Sequence, residues 1–197
     1  MKVRIKEDNI MNLTWHTLKG DMKDHLIMLY AIAVGIQAKE IVEVGAGAST
    51  KYLTSAAIKT NGHVTTIDMD KTFEGYAEID RWTFWNGDST KLDYSYFETH
   101  PIDLLFIDGD HRYGIAKIDF ERLGKYVRKN GFICFHDTLY PINSPYVAGK
   151  DFPNEDKHYA APAKVFYNAI KSGKYEGVMF TYCNGLGVLR KIMGEEK

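Results

Sequence analysis

The chain has 197 residues, enough for one domain with a full apolar core and too few for two large ones. Its 25 basic against 26 acidic side chains leave a formal charge of -1, which gives no electrostatic reason to expect nucleic acid and favours a small, uncharged or locally charged ligand. Cys134 and Cys183, both in segments read as strands, form no CxxC pair or disulfide framework and read as core residues. No apolar run approaches the roughly 20 residues of a membrane span, and MKVRIKEDN lacks a signal peptide's apolar region, so a cytoplasmic protein with no membrane partner is expected.

Residues 1–20 show little periodicity and read as an N-terminal arm, with Trp15 and His16 either packed or part of a lid. Asp21 offers an N-cap, and Met22, Leu26, Leu29, Ala33 and Ile36 recur at helical spacing up to Gln37. The run IVEVGAGAST at 41–50 then passes from β-branched residues into a turn with Gly45 and Gly47, and on to Ser49 and Thr50 ahead of a helix over 49–59. Strand, glycine turn and helix make a cofactor grip: the helix N-terminus offers free N–H groups, and glycine lets a ligand approach the backbone. A dinucleotide fingerprint would need a third glycine where Thr50 stands, so pyrophosphate is disfavoured.

HVTTID at 63–68 reads as the second strand and ends in Asp68, 21 residues past Gly47, where a carboxylate can accept from both ribose hydroxyls. A short helix is expected over 72–80. A strand follows over 82–85, with Trp82 and Trp85 as core or pocket wall, and then a turn with Asp88 and Ser89. Leu104 to Ile107 suits a strand buried on both faces, and it ends in Asp108, Asp110 and His111. Next come a helix with the stripe Ala116, Phe120, Leu123 and Val127, a turn at 129–131, and a strand over 132–135 ending in His136 and Asp137. Residues 138–161, with three prolines and four aromatics, read as an acceptor loop or lid. A helix from Pro162 carries Ala163, Phe166 and Ile170 and stops at Gly173, and strands over 178–182 and 186–191 flank an Asn184-Gly185 turn. This rhythm predicts an α/β, Rossmann-like, doubly wound seven-stranded sheet, mostly parallel with a C-terminal antiparallel hairpin, in one domain over 1–197.

The segments EVGAGAS, TTIDMD, NGDS, LLFIDGDHRY, GFICFHDT and GLGVLRK, in this order, resemble the motifs of the class I S-adenosylmethionine (SAM) dependent methyltransferases. They are most similar to the branch that holds macrolide sugar O-methyltransferases and cephalosporin hydroxylase-like proteins, related to catechol O-methyltransferase. The likeness covers roughly residues 40 to 192. It implies that Gly45, Gly47 and Ser49 pass beside the methionine part of SAM, that Glu43 helps hold its ammonium group, that Asp68 takes the ribose, and that Asp88 and Ser89 take the adenine. It further implies a divalent cation, Mg²⁺ or Mn²⁺, on Asp108, His136 and Asp137. His136 departs from the pattern, because related enzymes carry a carboxylate there and Mg²⁺ prefers oxygen to imidazole.

Methyl transfer to a hydroxyl needs a base to take the proton or a metal to lower its pKa. His111, three residues past Asp108, suits the first role, with Lys117 as the next candidate. Asp108 and Asp137 suit the second. A small hydroxylated acceptor of sugar or phenol type is the expected partner, and self-association into a homo-oligomer stays open. Two other classes remain: a metal-dependent hydrolase built on Asp108, His111, His136 and Asp137, and a SAM-binding protein without catalysis.

Overall fold

The computed structural model describes residues 22–73, 80–139 and 161–194. The N-terminal arm with Asp21, most of the short helix expected over 72–80, and the loop expected over 138–161 lie outside them, apart from a 3₁₀ turn at Lys71–Phe73 and a few loop-end residues.

The chain runs α1 (Leu26–Gly35), β1 (Glu40–Val44), α2 (Ala48–Thr60), β2 (His63–Asp68), β3 (Trp82–Asn86), β4 (Ile102–Ile107), α3 (Tyr113–Gly124), β5 (Val127–His136), α4 (Ala161–Lys171), β6 (Tyr175–Phe180) and β7 (Leu186–Lys191). The strands form one sheet in the order β3-β2-β1-β4-β5-β7-β6, parallel from β3 to β5. β7 runs antiparallel between β5 and β6, which gives the expected closing hairpin.

Alternation along the central strands divides the core between two faces. Val42, Val44, Leu105, Ile107, Ile133 and Phe135 pack with Leu123 of α3 and Phe166 of α4. Ile41, Leu104, Phe106 and Cys134 pack on the other face with Leu29 of α1 and Leu53 of α2. Trp85 packs against the first cluster and Trp82 against the second, so both form wall and core as expected.

Several expectations need correction. α1 starts after a turn at 22–25, with His25 and not Asp21 at its N-cap. Val127 ends no helical stripe. It opens β5, and the turn expected at 129–131 is an irregularity inside that strand, where Asn130 takes φ 63° and the pairing with β4 shifts register between Ile102 and Leu104. β6 begins three residues before the expected strand. Cys183 sits in the β6–β7 turn, not in a strand, at φ 45°, followed by Asn184 at 63° and Gly185 at 92°. Its thiol donates to Asp24 Oδ2 at 3.0 Å.

After β1 the chain winds outward to β2 and β3, then returns to β4 on β1's other side. The strand order therefore reverses between the carboxyl ends of β1 and β4, the crevice where open α/β sheets bind ligands. Gly45 follows one of these ends and Asp108 the other.

Candidate active site at the carboxyl edge of the sheet

Gly45 stands where the tips of β1, β2 and β4 meet. Its N–H donates to Ile67 O, Asp108 N–H donates to Val44 O, and its φ of 92° lies in the region that favours glycine. A Cβ there would overlap the Asp108 carbonyl oxygen and stand 2.7 Å from its carbon. Gly47 differs: its φ of -176° is ordinary extended backbone, and a Cβ there meets nothing within 4 Å.

Behind the turn, Glu43 is fully buried because its position on β1 alternates with the other core face and points it at the start of α2. Oε1 accepts from Ser49 Oγ at 2.5 Å, and Oε2 accepts from Thr50 Oγ1 and Thr66 Oγ1, each at 2.7 Å. Thr50 Oγ1 in turn accepts from Gly47 N, and Thr66 Oγ1 from Trp82 Nε1. Burial raises the Glu43 pKa to about 7, against the pull of the three hydroxyls. Glu43 thus braces the turn from behind the wall of the crevice. Glu43→Ala is expected to lower the unfolding free energy by about 3 kcal/mol, since three buried hydroxyls lose an acceptor, and urea denaturation checks this.

In front of the turn lies a cavity of ≈ 340 Å³, lined by Gly45, Ala46, Asp68, Asp88, Ser89, Asp108 and Arg112 among others. Gly47, Ser49 and Glu43 are not part of its wall. Asp68 Oδ2 accepts from Ala46 N and Oδ1 from Asp70 N, both at 2.7 Å, so the tip of β2 is tied to the glycine turn. Asp88 is held by Lys91 at 2.6 Å and by the hydroxyl and N–H of Thr90, and these contacts lower its pKa to about 2. The Ser89 carbonyl accepts from Tyr94 Oη and Arg122 Nη1, which fixes the loop after β3. Arg112, which the sequence did not single out, is ion-paired with Asp110 at 2.5 Å.

Asp108 also belongs to a second constellation. His111 Nε2 lies 3.4 Å from Asp108 Oδ1 and 3.1 Å from Asp137 Oδ2, and His136 Nδ1 lies 3.3 and 3.2 Å from the same two oxygens. Ligand atoms of Asp108, His111 and Asp137 all fall within 4.8 Å of one another, the spacing of a metal-binding group. His136 Nε2 is 2.9 Å from Cys183 O, and a carbonyl only accepts, so that nitrogen carries a proton. Burial would lower the pKa of both histidines, but the two carboxylates outweigh it. They raise His111 above its usual value and His136 to about 10. Burial alone would raise Asp108, yet the two imidazoles hold it below the ordinary range. His25, also unforeseen, is 1% exposed and packs edge-on against His136 with ring centroids 5.4 Å apart. Burial and then His136 push its pKa down to about 4. Only its place at the foot of α1 brings it here, and no motif marks it. Lys117 instead pairs with Glu121 at 2.9 Å and lines a different cavity, between α3 and α4.

Residues 42–138 match the family model described as a methyltransferase domain. The matched segment is just under half of the chain, and the seven-stranded sheet around it has the methyltransferase fold. A 36-residue stretch is 56% identical to the uncharacterized protein R132 of Acanthamoeba polyphaga mimivirus, over 18% of this chain and 16% of that one, so the match spans a small part of that relative. Among solved structures, a candidate caffeoyl-CoA O-methyltransferase of Staphylococcus aureus superposes with a TM-score of 0.68 at 17% identity, over 94% of this chain and 98% of its own. An O-methyltransferase of Bacillus cereus in complex with S-adenosylhomocysteine (SAH) gives 0.63 at 18% identity, over 92% and 85%. MycE, a methyltransferase of the mycinamycin biosynthetic pathway in complex with Mg and SAH, gives 0.59 at 19% identity, over 89% of this chain and 50% of its own. No helix among the described residues is long and apolar enough to cross a membrane.

Proposed function

We propose that the protein transfers the methyl group of SAM to a hydroxyl of a small acceptor. One observation carries this reading: a single cavity joins Asp68, Asp88 and Ser89 to Asp108, so a nucleoside grip and an acid–base cluster share one crevice. A metal hydrolase would need the cluster but not the grip. The turn fits the cofactor, since Gly45 brings bare backbone to the cavity and Gly47 leaves open space beside it. Asp68 accepts from the ribose hydroxyls, Asp88 and Ser89 meet the adenine, and the Gly45–Ala46 backbone runs beside the methionine part. Glu43 acts on that part through the turn it braces.

SAM supplies an electrophilic methyl on a positively charged sulfur. The acceptor oxygen forms its bond to the methyl carbon as the carbon–sulfur bond breaks, and the bonding pair stays on sulfur in SAH. His111 takes the hydroxyl proton on Nε2, and Asp108 and Asp137 stabilise the imidazolium that results. A divalent cation on Asp108, His136 and Asp137 would lower the hydroxyl's pKa at the same place, a role that the Mg in the MycE structure supports.

Calorimetry with SAM, SAH and NAD tests the reading. SAM and SAH are expected to bind and NAD not, and tighter binding of NAD would refute it. Asp68→Ala is expected to weaken SAM by about 1–3 kcal/mol through lost charge-assisted hydrogen bonds. Unchanged affinity would remove Asp68 from the ribose.

A further inference from the structure

We infer that Asp119, buried in α3 behind the cavity, is a positioning residue that fixes the Ser89 hydroxyl as a hydrogen-bond acceptor and so selects adenine over its deaminated counterpart, hypoxanthine. The inference deepens the cofactor reading above and rests on it. Asp119 is 0% exposed, and neither of its carboxylate oxygens has a hydrogen-bond partner among the described residues. It stands one helical turn beyond Ile115, which lines the cavity together with Ser89. A buried carboxylate without a donor is costly, so a proton brought to it by a neighbour is strongly favoured. The Ser89 side chain faces the carboxylate and draws its pKa down, but completes no hydrogen bond to it.

The other donors at hand point elsewhere. Arg122 Nη1 and Nη2 donate to the carbonyls of Ser89 and Leu92, and Tyr94 Oη donates to the Ser89 carbonyl. These bonds hold the Ser89 backbone and leave its hydroxyl to Asp119. Burial raises the Asp119 pKa to about 6 against the pull of Ser89, with Asp88 and Asp110 adding to the rise and Arg122 opposing it. Above neutral pH the carboxylate is therefore ionised and only accepts. The Ser89 hydroxyl must then be the donor of that contact, and its lone pairs turn toward the cavity. The exocyclic amine of adenine donates to them, whereas the carbonyl of hypoxanthine brings a second acceptor and is repelled. Asp88 is already engaged by the N–H and hydroxyl of Thr90 and by Lys91, which leaves Ser89 the freer acceptor.

The test is calorimetry on the full chain, above neutral pH, with SAH and with S-inosylhomocysteine, its deaminated analogue. The parent is expected to favour SAH by about tenfold or more, since one mispaired buried acceptor is enough for that ratio. Asp119→Asn can present its amide N–H to Ser89, which turns the hydroxyl proton toward the cavity, so the preference should fall by about tenfold. Ser89→Ala should lower it by a similar factor, and in that background Asp119→Asn should change the ratio no further. A merely structural Asp119 would weaken both ligands alike and leave the ratio unchanged, which overturns the inference. An unchanged ratio in Ser89→Ala overturns it too, and this change at a half-buried loop position decides the matter even if Asp119→Asn fails to fold. A parent that binds SAH without preferring it sinks the inference alone, whereas a parent that binds neither ligand removes the cofactor reading with it.

Discussion

Gly45→Ala is expected to give a protein that fails to fold stably, whereas Gly47→Val is expected to fold and to bind SAM more weakly, through the open space beside the turn and not through the cavity wall itself. The two glycines lie two residues apart in one motif but are needed for different reasons. Gly45 sits at φ 92°, where a Cβ costs about 1–2 kcal/mol in backbone strain alone, and that Cβ would overlap the Asp108 carbonyl. Neither side can yield easily, because Asp108 N to Val44 O ties the tip of β4 to that of β1, and Gly45 N to Ile67 O ties the turn to β2. With about 1–3 kcal/mol of overpacking added, the loss is a large share of a typical 5–15 kcal/mol stability. Gly47 has extended backbone and no neighbour within 4 Å of a Cβ, so the chain itself barely feels a valine there beyond about 1 kcal/mol at the helix cap. The cost falls on whatever fills the space beside it. Thermal unfolding measures the first effect and SAM calorimetry the second. A Gly47→Val protein that binds SAM normally would mean the ligand does not pass this residue.

The contrast marks what a sequence can carry. The seven strands, the mostly parallel sheet, the closing hairpin and the polar edge were legible because they follow from alternation, from apolar runs with abrupt polar ends, and from turn residues such as Asn184 and Gly185. Which glycine bears the strain was not legible. That depends on Asp108, 63 residues away, lying against the turn. The Val127 misreading has a similar origin: an apolar residue four positions after Leu123 fits a helical stripe, and only pairing with Ile102 shows that it opens a strand. The histidines show the same limit. His111 and His136 follow strand ends and could be found from the pattern, but the proton on His136 Nε2 is set by Cys183 O, on a turn 47 residues later. His25 sits in a helical run with nothing in its neighbours to separate it from a packing residue, and only the docking of α1 brings its ring to His136.

His111→Ala is expected to cost about 10²–10⁴ in turnover while leaving SAM affinity nearly unchanged. His111 makes its recorded contacts with Asp108 and Asp137, and it does not line the cavity assigned to SAM. The pH dependence gives a second, independent reading. A general base acts in its neutral form, so turnover should rise with pH through the ionisation of His111. Burial lowers that pKa, the Asp108 and Asp137 carboxylates raise it further than burial lowers it, and the limb should therefore lie above the ordinary histidine value of about 6.5. A cation on the carboxylates takes up the negative charge that causes the rise, so adding a divalent ion should move the limb to lower pH. In His111→Ala the limb should vanish. Turnover measured against pH for both proteins, with and without added divalent ion, separates these effects. If the variant loses less than about tenfold and keeps the same limb, His111 is not the base. Lys117 does not take its place, because it is paired with Glu121 beside the cavity between α3 and α4, and metal activation of the acceptor hydroxyl would then be the remaining route.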